Sequence, residues 1–251
     1  MSLFDFAFCH EYEKKIAALA GLCPEKWSFG GQSDNVILKN YISHTFLKLE
    51  DEGNILKKDD FALFNTGLYT EFYDPIFAYF TKNTIPKRQE WFLIGFYTSY
   101  QLGMMGIDEF PKRANYFSDP SALVFDANCD IIPQYKHIFS DAENFLRIPE
   151  SVRESPNKIT LFVGAVKRAK DMIDANYKTA VPQYYKKGQD KGRIQLLIPI
   201  YLINEKTPDL ALVVSKNEAG TQYLGHTCLT LDMAYNNARL IARPDSAWLK
   251  P

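Results

Sequence analysis

The chain has 251 residues, of which 46% are hydrophobic and 24% are charged, and its net charge at pH 7 is -1. This is ordinary globular composition, long enough for one large domain or two small ones. The near-neutral charge excludes a uniformly basic nucleic-acid coat, although it is compatible with a local basic groove. No apolar run approaches the roughly 20 residues needed to span a bilayer, so no membrane partner is expected.

The four cysteines are scattered along the chain and form no C-x-x-C pair. A zinc cluster is therefore not expected, and no metal-ligating residues are predicted. The first 20 residues carry charges where a signal peptide would have its apolar core. These two features predict reduced cysteines and a cytoplasmic protein.

The N-terminal segment, from about residue 8 to 56, is predicted to be helical. Residues 11–21 favour a short helix, and apolar residues recur at three and four positions over residues 36–54. Beyond it, residues 91–99 and 121–126 are rich in aromatic and β-branched residues and predict strands, and residues 61–65 are compatible with one. The stretch between the two predicted strands contains Pro111 and Pro120 and is typical of a loop.

The C-terminal half predicts one long helix, three strands and a last helix. Apolar spacing gives an amphipathic helix from residue 158 to about 177, which Pro182 prevents from continuing. Strands follow over residues 192–203, 208–217 and 222–231, and a helix over 231–242. This order predicts an α+β fold with a largely antiparallel or mixed central sheet flanked by helices. No linker or repeat interrupts it, so a single domain, residues 1–251, is expected, with its α+β core over about 57–251.

A polar stripe lies on the last predicted helix, in LTLDMAYNNARLIARPD (residues 229–245). Asp232, Asn236 and Arg239 recur at i, i+4 and i+7 and share one helix face. The stripe begins at a helix N-terminus, whose free N–H groups suit an anion or a nucleotide. Alternatively, Thr230 or Asp232 caps the helix and Arg239 pairs with a nearby carboxylate.

Other polar residues compete for the same role. Histidine as a residue type can titrate near neutral pH, so His137 suits a general acid or base, although a lone histidine is more often structural. Lys178 suits a phosphate contact, with Tyr177, Tyr184 and Tyr185 as stacking faces, but it also suits the C-terminus of the preceding helix. The basic, tyrosine-rich stretch from residue 167 to 193 is the most nucleic-acid-like feature. Its alternative is a solvated basic loop.

Sharper signatures are absent from the sequence. It contains no G-x-S-x-G, H-E-x-x-H or G-x-G-x-x-G motif. Asn65 and Thr66 lie at a turn in FNTGL, which lacks the ending of a phosphate-binding loop. The cofactor that the sequence allows is Mg²⁺ on Asp209 or Asp232, because such a site needs only one or two carboxylates plus substrate phosphates.

Several long segments occur together in a characteristic order. They are FNTGL, the strand beginning at Trp91, HIFSD…RIP, NYKTAVPQYY, IQLLIPIYL, DLALVV and LTLDMAYNNARLIARPD. In this order the chain resembles, from about Phe6 to Leu249, a bacterial family called domain of unknown function 3825. The resemblance implies an RNA context, because similar modules occur beside RNA-binding domains of the OST-HTH (LOTUS) and cold-shock types. It implies no mechanism.

Two functional hypotheses follow. In the first, the protein is an enzyme that breaks or transfers a phosphoester of RNA or a nucleotide. The residues assigned to it share polar chemistry: the catalytic residues His137 and Asp232, the phosphate ligands Arg147, Lys178 and Arg239, the substrate-positioning residues Asn65, Thr66, Gln183 and Asn236, and the stacking residues Tyr177 and Tyr184. This hypothesis requires these residues to converge. In the second, the protein is a non-catalytic RNA-binding or protein-interaction module, whose RNA affinity would depend steeply on salt.

Overall fold

The computed structural model describes residues 1–30, 34–186 and 192–251. The chain divides into two compact units, Met1–Asn115 with Pro251, and Tyr116–Lys250. Each unit holds one five-stranded mixed sheet. The predicted α+β class is confirmed, with two sheets where the sequence indicated one, because strands pair with partners from the same half of the chain. That the whole chain forms a single domain stays a prediction.

The N-terminal unit consists of helices beside a sheet of order β1-β5-β4-β3-β2, in which only β1 and β5 are parallel. Its elements are, in chain order, α1 (Leu3–Phe6), β1 (Ala7–Phe8), α2 (Tyr12–Leu22), α3 (Val36–Asp51), β2 (Leu56–Lys57), β3 (Phe61–Tyr69), β4 (Pro75–Lys82), β5 (Trp91–Thr98) and α4 (Ser99–Met104). The two predicted helices and the strands at residues 61 and 91 are therefore confirmed. The loop predicted after residue 99 is wrong at its start, where the chain forms the short helix α4. Thr98 and Gln101 form a capping box that begins this helix.

The core of this unit is aromatic. Phe46 of α3 packs against Phe64 of β3 with ring centroids 5.6 Å apart, and Phe64 packs in turn against Phe80 of β4 at 5.8 Å. All three side chains are fully buried. Buried aromatic pairs contribute about 0.5–1.5 kcal/mol beyond the burial of their area, so this row fixes α3 on the sheet.

The segment FNTGL forms a bulge in β3. The pairing register of β3 and β4 shifts between Asn65 and Tyr69. Gly67 has φ +74°, and a Cβ built on it would lie 2.8 Å from the hydroxyl oxygen of Tyr41. That hydroxyl donates a hydrogen bond of 2.8 Å to the carbonyl of Thr66. The glycine is thus required both by its backbone conformation and by the approach of Tyr41.

Gly67→Ala is expected to destabilise the protein by more than Gly53→Ala does. Gly53 also has a positive φ, +67°, but has open space where a Cβ would stand, so its substitution costs only backbone strain of about 1–2 kcal/mol. Gly67→Ala adds the clash with Tyr41. Urea unfolding measures both changes. If both variants lose the same free energy of unfolding, the approach of Tyr41 does not constrain residue 67. Partial recovery of the stability of Gly67→Ala by Tyr41→Phe would support the clash.

The C-terminal unit has a sheet of order β6-β10-β9-β8-β7, in which only β6 and β10 are parallel. Its elements are a 3-10 helix (Pro120–Leu123), β6 (Asp130–Pro133), α5 (Tyr135–Ser140), α6 (Ala142–Arg147), α7 (Glu150–Arg153), α8 (Lys158–Ala175), a second 3-10 helix (Tyr177–Thr179), β7 (Val181–Tyr185), β8 (Arg193–Ile200), β9 (Leu210–Lys216), β10 (Gln222–Leu229) and α9 (Leu231–Arg239). The long predicted helix, the three strands and the last helix are confirmed.

The two faces of this sheet carry different helices. Helix α8 covers the face that presents Ile198 and Leu212, and its Phe162 enters the same apolar core. Helix α9 packs against β7. In the chain, α8 precedes β7 and α9 follows β10. This order does not by itself reveal which face of the sheet each helix covers.

Two predictions for this unit are corrected. The predicted strand at 121–126 is wrong: Pro120 and the capping side chain of Asp119, which accepts a hydrogen bond of 3.1 Å from the Ser121 amide, start a 3-10 helix there. Helix α8 ends at Ala175, well before Pro182, and Pro182 lies inside strand β7, which the sequence did not predict. Proline is tolerated there because β7 is an edge strand of the sheet.

Among the described residues no helix is long and apolar enough to cross a membrane.

Candidate functional site

A bulge in β10 creates a polar site beside helices α5 and α6. The register of β10 against β9 shifts between Gly225 and Thr227, which leaves His226 as the extra residue. Strand β6 pairs with β10 only as far as Gly225, whose carbonyl accepts a hydrogen bond of 2.8 Å from Gln134 as α5 begins. Helices α5 and α6 then run beside the remainder of β10. Such bulges redirect side chains and are frequent next to active sites.

Asn144 of α6 lies at the centre of this site and is 5% exposed. Its Oδ1 accepts a hydrogen bond of 2.9 Å from Arg147 Nη1 and another from the Thr227 hydroxyl. Arg147 Nη1 also donates to the carbonyl of Cys228 at 3.1 Å. These bonds tie α6 to β10, and they occupy the oxygen of the Asn144 amide.

The occupied oxygen determines which tautomer of a neutral His137 fits this site. Because Oδ1 of Asn144 accepts two bonds, its amide group presents Nδ2, which lies 3.3 Å from Nε2 of His137. An amide nitrogen only donates, so Nε2 must accept, and the neutral imidazole carries its proton on Nδ1. Arg147, Asn144 and His137 therefore form one directed hydrogen-bond chain.

A second histidine, His226, belongs to the same site. Its Nε2 lies 2.6 Å from Oγ of Ser215 on the adjacent strand β9. Burial lowers the pKa of His226, and the positive charges of Arg193 and His137 lower it further. His226 is therefore neutral at pH 7, and a neutral Nε2 accepts the hydroxyl proton of Ser215. We call His137, Asn144, Arg147, Ser215, His226 and Thr227 the histidine cluster.

The histidine cluster adjoins an open depression. The depression has a volume of about 650 Å³ and is lined by residues 134–137, Ser140 and Asp141. His137 and Lys136 are exposed within it. The depression is large enough for a substrate and brings it against the imidazole of His137.

Other predicted residues form a second group, on β7 and α9. Gln183 is 1% exposed; its Nε2 donates to Gln195 and its Oε1 accepts from Asn237 of α9, each at 3.1 Å. Arg239 is buried, at 7% exposure, and the buried Oδ1 of Asn236 has no hydrogen-bond partner among the described residues. Asp232 is exposed and accepts a bond from the Thr230 hydroxyl, so the two residues contact each other at the start of α9.

The tyrosines and Lys178 lie at the two ends of β7: Tyr177 and Lys178 precede the strand, and Tyr184 and Tyr185 are its last two residues. Tyr177 is 61% exposed, Tyr185 is 40% exposed, and Lys178 forms an ion pair of 3.0 Å with Asp245. Tyr184 is half-buried and packs edge-on against Tyr116 at 5.0 Å. Residues 187–191 of the predicted basic stretch lie outside the described residues.

Asn65 and Thr66 belong to the N-terminal unit. Thr66 is fully buried, and its hydroxyl donates a bond of 2.6 Å to the carbonyl of Ile76. Asn65 donates to the carbonyl of Pro111 at 3.3 Å and accepts from the Gly67 amide at 2.9 Å. Both side chains hold the bulge of β3, and their contribution to substrate binding stays a prediction.

Sequence reasoning found His137 and Arg147 but missed their partners. Asn144 follows His137 by seven residues and precedes Arg147 by three. This helical spacing was the signal in the sequence that could have identified Asn144 as their partner. Ser215 and His226 are separated by a strand connection, and their contact depends on the pairing register of β9 and β10, which shifts at the bulge. No local pattern reveals that shift.

The two carboxylates predicted to bind Mg²⁺ lie in different surroundings. In the described part of the chain, no group of three histidine, cysteine or acidic side chains is arranged to hold a metal ion. Asp209 accepts bonds of 2.7 Å and 3.0 Å from the amides of Leu202 and Ile203, so it stabilises the turn before β9. Asp232 is exposed and is the more accessible of the two predicted Mg²⁺ ligands.

The fold and the histidine cluster define an α+β protein with a polar site built on a strand bulge. The family model described as Domain of unknown function (DUF3825) matches residues 19–248 and so includes most of both units. The chain therefore belongs to this family, and the resemblance seen in the sequence is confirmed at that level. No curated protein and no solved structure matches the chain.

Asn144→Asp is expected to reverse the tautomer of His137. The carboxylate retains an acceptor for Arg147 and Thr227, but it now accepts from Nε2 where the amide donated to it. The proton should move from Nδ1 to Nε2, which ¹⁵N chemical shifts of the imidazole distinguish at a pH where the ring is neutral. Asn144→Ala removes the amide that Arg147 Nη1, the Thr227 hydroxyl and His137 Nε2 share as a partner, and it should cost about 1–3 kcal/mol in urea unfolding. An unchanged tautomer in Asn144→Asp would contradict the chain of bonds.

Stability is expected to fall on mild acidification. Burial lowers the pKa of both His226 and His44 from their ordinary value of 6.5. The unfolded chain therefore binds more protons just below that value, so stability is complete above it and decreases as the pH falls.

Thermal midpoints measured from about pH 7 to about pH 5 test this, because the carboxylates of Asp and Glu titrate mostly below that range. His226→Gln and His44→Gln should each flatten the profile. His10→Gln, at an exposed position, is the control and should leave the slope as it is. Parallel profiles for all variants would refute the assignment.

Proposed function

We propose that this protein is an RNA- or nucleotide-associated enzyme that acts on a phosphoester, with the histidine cluster as its active site. The observation that carries the proposal is the pair of imidazoles in the histidine cluster. The Nε2 of each has a defined hydrogen-bond partner, and Arg147 is one bond away through Asn144. Phosphoester transfer needs a base, an acid and a cation, and these three groups supply them.

The bond between His226 and Ser215 supports a serine nucleophile. Since Nε2 of His226 already accepts at 2.6 Å from Oγ, the proton it takes is that of Ser215. The Ser215 oxygen would attack phosphorus, the bond from phosphorus to the leaving oxygen would break, and protonated His137 would give that oxygen a proton. In the second half of the reaction, water would attack the phosphorus of the phosphoserine and give a proton to His137. The bond from phosphorus to the Ser215 oxygen would break, and His226 would return its proton to that oxygen.

Arg147 suits the phosphate. Its Nη1 is held by Asn144 and the Cys228 carbonyl. Among the residues that the structure describes, Nη2 has only a contact of 3.9 Å with Glu143, whose side chain is 88% exposed. An exposed pair of this length contributes little, so Nη2 remains available to an anion. A guanidinium held on one side and open on the other is well placed to stabilise the charge of the transition state.

The RNA context of the proposal rests on the family resemblance. Modules similar to this family occur beside OST-HTH and cold-shock domains, which supports RNA-binding proteins as partners and a bacterial source. We also place the protein in the cytoplasm, since Cys9, Cys23, Cys129 and Cys228 are all free. Mg²⁺ belongs to the proposal as a cofactor bound by the exposed carboxylate of Asp232 together with substrate phosphates.

The test is hydrolysis of a labelled RNA oligomer and of bis(p-nitrophenyl) phosphate by the full chain, with Mg²⁺ and with EDTA. His137→Gln, His226→Gln and Ser215→Ala should each lower kcat/KM by about 10²-fold or more, because each removes a proton-transfer group or the nucleophile. His10→Gln, in the N-terminal unit, is the matched control and should retain full activity.

The variants separate the steps. Ser215→Ala should abolish a phosphoserine detectable by mass spectrometry, whereas His137→Gln should allow it to accumulate with a good leaving group. Arg147→Lys should lower kcat with little change in the urea midpoint, because the ammonium retains the charge and can replace the bonds of Nη1 but lacks the second nitrogen, Nη2, that would contact the phosphate. Activity that is insensitive to all four substitutions would show that the site lies elsewhere.

The alternative is a non-catalytic RNA-binding module. The depression beside His137 is open, and the exposed Tyr177 and Tyr185 offer faces on which bases can stack. This alternative predicts RNA binding that weakens steeply with salt and no product with any substrate. Binding that is indifferent to salt would count against it.

A further inference from the structure

A cavity of about 220 Å³ lies in the C-terminal unit, between β7, α9 and the chain that follows α9. Its floor is apolar and includes Val181 and Ala238, which are 6% and 1% exposed. Its rim is polar and carries Tyr177, Lys178 and Arg243. We call it the tail cavity, because residues 241–246 form one of its walls.

The wall formed by the tail is held in place. The Ser246 hydroxyl donates to the carbonyl of Lys178, and Nε1 of Trp248 donates to the carbonyl of Thr179 at 2.9 Å. The ion pair of Lys178 and Asp245, at 3.0 Å, joins the same two segments. Leu249 is fully buried. The cavity is therefore preformed, and a ligand entering it would not have to order the tail.

Charge at the rim is uneven. Hydrogen bonding to Asp245 raises the pKa of Lys178 and lowers that of Asp245, so both are ionised at neutral pH and neutralise each other. Arg243 has no hydrogen bond or ion pair to any residue that the structure describes. The rim thus carries one uncompensated positive charge beside an apolar floor, with the phenol ring of Tyr177 largely exposed next to it.

From these features we infer that the tail cavity is a binding site for a small planar ring that carries an anionic group. The apolar floor suits a ring of nucleobase size, because the volume is below the roughly 300 Å³ typical of sites for drug-sized ligands. Arg243 and Lys178 bind the anionic group, and Tyr177 covers the ring. Mononucleotides and aromatic carboxylates share this chemistry. The inference uses none of the residues of the histidine cluster and does not rest on the proposed function.

The experiment is calorimetric titration of the full chain with adenosine 5′-monophosphate, with 4-hydroxyphenylacetate and with uncharged adenosine. At least one of the two anions should bind, and which one does so distinguishes a nucleotide source from a carboxylate source. If the nucleotide binds, adenosine should bind about tenfold more weakly, the equivalent of about 1.4 kcal/mol for the charged contact.

Three variants locate the binding. Arg243→Gln should weaken the bound anion about tenfold, and Ala242→Trp should abolish binding by filling the cavity from an exposed position. Asp245→Asn should strengthen it, because it removes a carboxylate that competes for Lys178. Arg113→Gln, an exposed arginine of the other unit, should change nothing.

The outcomes are separable from those at the histidine cluster. His226→Gln should bind the anion as the wild type does, even where it abolishes hydrolysis. No binding by either anion would overturn the inference, as would binding that Arg243→Gln and Ala242→Trp leave unchanged. Loss of binding in Arg243→Gln with a gain in Asp245→Asn would establish both the site and the sign of its charge preference.

Discussion

The C-terminal unit depends on the hydrogen bonds of one buried amide, that of Asn144. Its oxygen accepts from α6 and from β10, and its nitrogen lies against His137 of α5. A buried polar group is stabilising only when all its bonds are made, so α5, α6 and the bulged strand must keep one relative geometry. The same bonds that hold these elements together give Arg147 and His137 their orientation.

Stability and chemistry are therefore coupled at this point of the fold. A core asparagine could be replaced by an apolar residue of similar size with little loss if its partners were replaced too. Here the partners include the guanidinium of Arg147 and the imidazole of His137, which faces an open depression. Folding stability alone does not require either group. The bulge adds His226 and brings it to Ser215, at the expense of regular pairing in β10. A local departure from regular structure thus accompanies a network of polar side chains in this unit.

The sequence allowed the elements to be predicted better than the site. Periodicity identified α3, α8 and α9 because one face of each is buried against a sheet. Burial of one face requires apolar residues at regular spacings of three and four. Periodicity failed at residues 121–126, where a proline and its cap outweigh strand propensity, and it missed α5 to α7, which are too short to repeat a pattern. Of the polar stripe on α9, Arg239 is buried and Asp232 is exposed, although spacing placed them on one face.

By itself the sequence determined the α+β class, the long helices, the central strands, the family, and His137 and Arg147 as residues of interest. These follow from composition, local periodicity and motifs, all of which are written along the chain. Only the tertiary structure decided that the strands form two sheets, that Asn144 joins His137 to Arg147, and that His226 meets Ser215. It also decided that Lys178 and Arg243 share a cavity. The two sheets, the contact of His226 with Ser215 and the cavity depend on strand register or on contacts between residues far apart in sequence. The bonds of Asn144 depend on how the short helices α5 and α6 pack beside β10. None of these features leaves a periodic signal.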